Sequence, residues 1–443
     1  MAADSPRRGT LNRIDLRGVH DLASGLPRPS VNDEKPTDAV RSILQAVRDG
    51  GDQALAELTE RFDGVRPASL RIPDGEIQAA LESTPEDVRS ALELARERVV
   101  AHHEAQLQDP VAHSGDGIDI ESWQSPVASA GCYVPGGRAA YPSTLLMTAV
   151  PALVAGVDRV VVCVPPDGDT GSVAPVTLAA AGIAGVHEVY AVGGAQAIAA
   201  LAYGTESIEP VHVVCGPGNL WVAVAKQQVS GDVGVAAAFA GPSEVVVVAD
   251  DSVHADLAAI DILLQAEHGP DGLAWLVTWD EAVADAVTES VERLAAAADR
   301  RDEISATLQR SGHCVLVDTP EAAIAVSDIV APEHLELLCR DAGSLARRVH
   351  NAGAIFAGPW SPASVGDYLA GPSHVLPTHG SARFASALTV DDFLRHHHLV
   401  TVSEEGLKQV GPAVATLADA EGLAAHADSV RMRLGDSQPR EEH

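Results

Sequence analysis

Residues 188–215 read EVYAVGGAQAIAALAYGTESIEPVHVVC, and the fold class is decided there. Glu188 to Val192 is a short β-forming run, Gly193-Gly194 interrupts it, an Ala/Leu-rich helical segment follows, and Val211 to Cys215 is a second β-branched run. Strand, glycine turn, helix and strand in that order make a βαβ unit, the building block of a parallel sheet with crossover helices. The pattern repeats outward. Val160 to Val164 precedes the quoted stretch, and Glu244 to Ala249, Ala274 to Thr278, Cys314 to Val317 and Ala354 to Phe356 form a second series after it. Two doubly wound units follow, with a crossing near Phe239-Ala240-Gly241-Pro242-Ser243.

The flanks differ. Residues 1–31 are polar and rich in Pro and Arg, an arm, and Val40 to Leu58 then shows helical spacing of apolar residues. In Ser83-Thr84-Pro85-Glu86-Asp87, Thr84 is the expected N-cap, Pro85 suits the first helical position, and the two acids favour the helix N-terminus. Alternation starts near Ile118 and stops near residue 389, after which polar helical sequence makes a C-terminal arm. The expected fold class is α/β: two doubly wound, Rossmann-like but incomplete parallel-sheet domains with small N- and C-terminal helical arms.

The 443 residues are 46% hydrophobic, 21% charged and 3% aromatic, a globular composition long enough for two or three domains of about 150 residues. Sixty-two acidic against 30 basic residues give a net charge of −32, the wrong sign for a phosphate backbone or an anionic membrane surface. No nucleic acid or membrane partner is expected. Cys132, Cys163, Cys215, Cys314 and Cys339 are odd in number and never spaced CxxC, so neither a disulfide framework nor a thiolate zinc site is expected. With no apolar leader at the N-terminus and no Asn-x-Ser/Thr sequon, the expected compartment is the cytoplasm.

Three of the turns that follow expected strands are glycine-rich, and ligands bind beyond strand carboxyl ends in such sheets. They are Tyr133-Val134-Pro135-Gly136-Gly137-Arg138, Val192-Gly193-Gly194-Ala195-Gln196 and Cys215-Gly216-Pro217-Gly218-Asn219. None is GxGxxG or a P-loop, and each stands equally as an ordinary turn. Gln265 and His268, three apart, share a helix face; Glu333-His334 sets a carboxylate beside an imidazole, the two commonest proton-transfer groups. Asp367 and His374 lie in GDYLAGPSHVLPTHG, and Glu421 and His426 in EGLAAHADS. Each of these also reads as an incidental polar residue, as does the run His396-His397-His398.

Their order and wording narrow the reading. GCYVPGGRAAYPSTLLM, AVGGAQAIAALAYGT, CGPGN, AGPSEVVVVAD, LLQAEHGPD, APEHLEL, NAGAIF, SVGDYLAGPSHVLPT and EGLAAHADSVRMR together resemble the histidinol dehydrogenase family, in one uninterrupted order from Leu16 to Leu434. The resemblance implies four-electron oxidation of L-histidinol to L-histidine through L-histidinal, the last step of histidine biosynthesis, with NAD and one zinc ion per site. Carried over residue by residue, Gln265, His268, Asp367 and His426 would bind zinc, and Glu333 and His334 would be catalytic. Tyr133, Gln196 and Asn219 would contact NAD, and Ser243, His334 and Glu421 would touch substrate beside the metal ligands. Residues 32–131 and 243–388 would form the zinc-bearing domain, 132–242 the NAD-binding domain, and 389–443 an arm reaching a partner subunit's site in a homodimer.

The alternatives are a zinc and NAD dehydrogenase of another polar primary alcohol, such as a sulfonated diol, or a non-catalytic zinc- or nucleotide-binding protein. His396, His397, His398 and His379 depart from the family's usual wording without touching an implied catalytic role.

Overall fold

The protein is described from a computed structural model covering residues 10–27, 36–137, 139–236, 243–267 and 272–435. The chain opens with Asn12–Asp15 (β1), the single turn Leu22–Gly25 (α1) and the helices Thr37–Asp63 (α2), Asp74–Ser83 (α3) and Glu86–Glu104 (α4). Val111–Gly115 (β2) and Ile118–Pro126 (β3) come next. A first alternating series is Ser129–Tyr133 (β4), Pro142–Val154 (α5), Arg159–Val164 (β5), Pro175–Ala184 (α6), Glu188–Ala191 (β6), Gly194–Tyr203 (α7), Val213–Cys215 (β7), Leu220–Val229 (α8) and Gly234–Val235 (β8). The second is Glu244–Ala249 (β9), Ala255–Glu267 (α9), Leu273–Thr278 (β10), Glu281–Ala297 (α10), Arg301–Ser311 (α11), Gly312–Leu316 (β11), Pro320–Val330 (α12), His334–Leu338 (β12), Ala342–Ala346 (α13), Ala354–Ala357 (β13) and Ala363–Tyr368 (α14). Leu394–Val402 (β14), Glu404–Ala420 (α15) and Ala424–Leu434 (α16) close the described chain.

Among the described residues the two series make two parallel sheets, ordered β6-β5-β4-β7-β8 and β1-β11-β10-β9-β12-β13. Their central strands, such as VVVCV in β5 and EVVVVA in β9, are buried along their length because helices cover both faces. On the six-stranded sheet, Val245, Val247 and Leu276 pack under α9 and α10, while Val246, Val248, Leu335 and Leu337 pack on the opposite side with Ile324 of α12. The winding order reverses between β4 and β7 in one sheet and between β9 and β12 in the other. No described helix is long and apolar enough to cross a membrane, and none of the five buried cysteines is in a disulfide.

The chain divides into two compact units. The first holds both parallel sheets, with the described residues up to Gln106 and Ala128–Phe393. Leu107–Val127 and the chain from Leu394 onward form the second, where the antiparallel sheet β14-β3-β2 is accompanied by α15 packed on α16.

Three expectations need correction. Asn12–Asp15, read as arm, is the edge strand β1, paired Asn12 to His313 through Asp15 to Leu316. Its four residues alternate in exposure but carry little apolar signal, and the strand that organises them lies 300 residues away. The C-terminal arm is not helical throughout, because β14 holds the triple histidine in extended backbone. Thr84 does not cap α4: its hydroxyl donates backward to the Ala80 carbonyl (2.7 Å), since a residue before proline is driven to extended backbone. The helices α2, α3 and α4 pack against α7, α6 and α5 of the five-stranded series.

Candidate active site

Two groups of expected site residues lie in the first unit. The cofactor set is at the carboxyl ends of the five-stranded sheet. Tyr133 ends β4, and its buried phenol oxygen accepts the Gly194 N–H (3.1 Å) at the turn after β6. Gln196, in the first turn of α7, is buried with neither atom of its amide hydrogen-bonded. Such a group carries a desolvation cost that a bound ligand would relieve. Asn219 caps α8, its Oδ1 accepting from Trp221 N (3.0 Å) and Val222 N (3.2 Å), which leaves its exposed amide nitrogen for another partner.

The turn before Asn219 is tightly held. Gly216 has φ +105°, and a Cβ there would collide with the Tyr133 carbonyl oxygen, so only glycine lets the β4 and β7 turns meet. Lys226 of α8, fully buried, donates its Nζ to the Gly216 carbonyl. Burial lowers its ammonium pKa to about 8.

The proton-transfer set lies at the amino ends of the six-stranded sheet, contrary to the carboxyl-end rule that guided the sequence reading. Glu244 begins β9 with Ser243 just before it, His334 begins β12 with Glu333 just before it, and Gln265 is in the last turn of α9. His334 Nδ1 lies 3.4 Å from the Glu244 carbonyl, which can only accept, so Nδ1 carries a proton there. Nε2 is 3.5 Å from Asp367 Oδ1. Burial works against the imidazolium, yet the carboxylates of Glu333 and Asp367 outweigh it and raise the His334 pKa. Glu333 is buried, its Oε2 accepting the Glu244 N–H (3.1 Å) and its carboxylate also accepting the Ser243 hydroxyl, and burial raises its pKa in turn.

Three residues of this cluster escaped the sequence reading or were left without a role. Glu244 is a buried carboxyl pushed up to about 8, by burial first and then by Glu333. The available signal was an acid opening an otherwise apolar strand. His374 ties Asp367 to α5: its Nδ1 donates to the Asp367 carbonyl (2.9 Å), so its Nε2 accepts from the Thr144 hydroxyl (3.0 Å). Phe356 of β13 stacks on His334 at 6.1 Å between ring centroids.

Of the expected zinc ligands, Gln265 is buried with its Nε2 unbonded, and half a turn about its last bond would point the oxygen there instead. Asp367 is partly buried beside His334. His268 lies outside the described residues. Glu421 and His426 belong to the second unit, where both are exposed, at the end of α15 and the start of α16. Among the described residues no three His, Cys, Asp or Glu gather as a metal cluster. The triple histidine alternates faces along β14, with His397 stacked on Trp123 at 5.6 Å and bonded to Ser125 (2.6 Å).

The histidinol dehydrogenase family profile matches residues 26–434. The chain belongs to the histidinol dehydrogenase family. By family it is therefore an enzyme, an oxidoreductase. The histidinol dehydrogenase of Parasynechococcus marenigrum (strain WH8102) is 49% identical over 393 residues, 88% of this chain and 90% of that one. That of Rhizobium meliloti (strain 1021) is 44% identical over 427 residues, 96% and 98% of the two chains. In structure, the histidinol dehydrogenase from Elizabethkingia anophelis matches with a TM-score of 0.92 at 32% identity, over 97% of this chain and 99% of that one.

Proposed function

We propose that the enzyme oxidises L-histidinol to L-histidine through L-histidinal, with NAD as hydride acceptor and one zinc ion per site, as a cytoplasmic homodimer in histidine biosynthesis. The observation that carries this reading is the buried Glu333 and His334 pair beside Asp367, in a chain whose family acts as dehydrogenases. Gln265, His268 and Asp367, with His426 of a second copy, offer amide, imidazole and carboxylate donors suited to zinc. When bound, zinc would anchor the substrate's imidazole and amine, and NAD would take up the hydrides.

The chain's own residues manage protons and position. R-CH2OH, water and two NAD+ give R-COO−, two NADH and three H+, so a base must act repeatedly. His334 suits repeated proton transfer because its Nδ1 is fixed by the Glu244 carbonyl, leaving Nε2 to take a proton from the alcohol. Glu333, held by Glu244 N and Ser243, would draw a proton from the water that adds to the aldehyde. Tyr133, Gln196 and Asn219 would contact NAD, the unbonded Gln196 amide being available to it. Glu421 and His426, exposed in the second unit, suit residues that complete a partner's site together with Ser243.

The decisive experiment follows NADH formation from L-histidinol by purified protein, with chelation and zinc add-back. Two NADH per histidinol, lost on chelation and restored by zinc, is the expected result. No NADH from folded, zinc-replete protein would withdraw histidinol as substrate and turn attention to other polar alcohols.

A further inference from the structure

Glu336 lies two residues beyond His334 on β12, so both side chains leave the strand on one face. That face carries Val245 and Val247 of the neighbouring β9 and is covered by α9. Glu336 has no exposed surface. Its Oε1 accepts the N–H of Ala363 (3.0 Å), the first residue of α14, the helix that bears Asp367. Its Oε2 meets no N–H or O–H donor. Within hydrogen-bonding reach of the Glu336 carboxyl is the buried carboxyl of Asp261 on α9, one helical turn before Gln265.

Two ionised carboxylates have only acceptor oxygens to offer each other, and both would be charged away from water. A single proton between them removes one charge and supplies the missing donor. Burial, with Asp261 as the next cause, holds the Glu336 carboxyl up at about 9, which places that proton on Glu336.

We infer that Asp261 and Glu336 are a positioning pair, a carboxylic acid hydrogen-bonded to a carboxylate, which ties α9, β12 and α14 together and so sets Gln265 and Asp367 at their working separation beside His334. Neither residue touches substrate. The inference rests on the zinc reading above. Through Ala363 it fixes the start of the Asp367 helix, and through Asp261 it fixes the turn preceding Gln265.

Glu336→Gln keeps an acceptor for Ala363 N–H and replaces the acid O–H by an amide N–H, whereas Glu336→Met has similar bulk and neither group. Zinc affinity of the metal-free protein is read by competition with a chromogenic chelator. Zinc binding within about threefold of wild type is expected for Glu336→Gln, and at least about tenfold weaker binding for Glu336→Met, as for other residues that orient metal ligands. In parallel, the infrared carbonyl band of a protonated carboxylic acid at neutral pH should diminish in Glu336→Gln relative to wild type. Unchanged affinity in Glu336→Met overturns the proposal, as does an equal loss in both variants, which would mean that an ionised Glu336 is required. An acid band undiminished in Glu336→Gln also overturns it. If Glu336→Met does not fold, wild-type affinity in Glu336→Gln together with the diminished band supports the pair, and failure of either rejects it. A wild-type protein that takes up no zinc defeats the zinc reading and the positioning role with it, while the infrared band separately decides the shared proton.

Discussion

At the scale of single residues, the site divides labour between groups of like chemistry by giving them different surroundings. Glu333 and Glu244 are neighbours, yet Glu244 is pushed up to about 8 and stays protonated near neutrality, so Glu333 is spared a second negative charge. Removing the charge of Glu333 should therefore injure proton transfer without dismantling the metal site. Glu333→Gln is expected to slow aldehyde oxidation at least about a hundredfold, the usual scale of general acid–base contributions, with zinc content retained. Asp367→Ala and His268→Ala should lose zinc. Metal analysis beside stopped-flow rates with L-histidinal checks the division, and equal zinc loss in all three variants would refute it.

At the scale of elements, the turn that ends β7 is held from behind by a cation. Lys226 reaches the Gly216 carbonyl from α8, and Gly216 in turn lies against Tyr133 at the end of β4. A methionine would fill the same space without the buried charge. Lys226→Met should raise KM for NAD by about tenfold, equal to roughly 1.4 kcal/mol of lost binding, while kcat changes little and thermal stability is kept. Steady-state kinetics with NAD varied reads the effect. A fall in kcat alone would show that the turn is not held for the dinucleotide. The sequence announced these turns by their glycines and seven strands by their β-branched runs, each found within a residue or two of expectation, whereas β4, β8 and β12 were not among the strands expected. It could not announce β1, whose NRID has no apolar run of its own, nor β14, whose exposed HHHLVTV is extended only because β3 pairs with it. Glu333 and His334 were legible as neighbours in the chain. Glu244, Glu336 and Asp261 were not, because their meaning depends on which strands and helices lie side by side.

Across the whole molecule, stability should depend on pH through a histidine outside the candidate site. His313 of β11 packs against Trp275, the rings tilted by 33° with centroids 4.2 Å apart, and burial lowers its pKa from 6.5 to about 4. The unfolded chain thus binds a proton between pH 6.5 and 4 that the folded chain refuses, so this group's contribution is full above pH 6.5 and is lost as pH falls to about 4. The loss is on the order of 3 kcal/mol. Denaturation of wild type and His313→Gln at pH 7 and pH 4.5 checks this, with a smaller acid loss expected in the variant; parallel pH dependences would remove His313 from the account. Subunit sharing is open to test at the same scale. Inactive His334→Ala and His426→Ala proteins, mixed under conditions of proven exchange, should regain part of the activity through hybrid dimers, and none would return if each site were complete within one chain.

The edge strand β1 joins residues made far apart in time. Asn12 emerges early, but the backbone it pairs with at His313 is translated some 300 residues later. At elongation rates of about 5–20 residues per second this interval is roughly 15–60 s. Throughout it the first segment of the chain has no sheet edge to join, so a nascent polypeptide stalled before Gly312 is expected to be clipped by proteases near residue 12, and one released past Leu316 to be protected there.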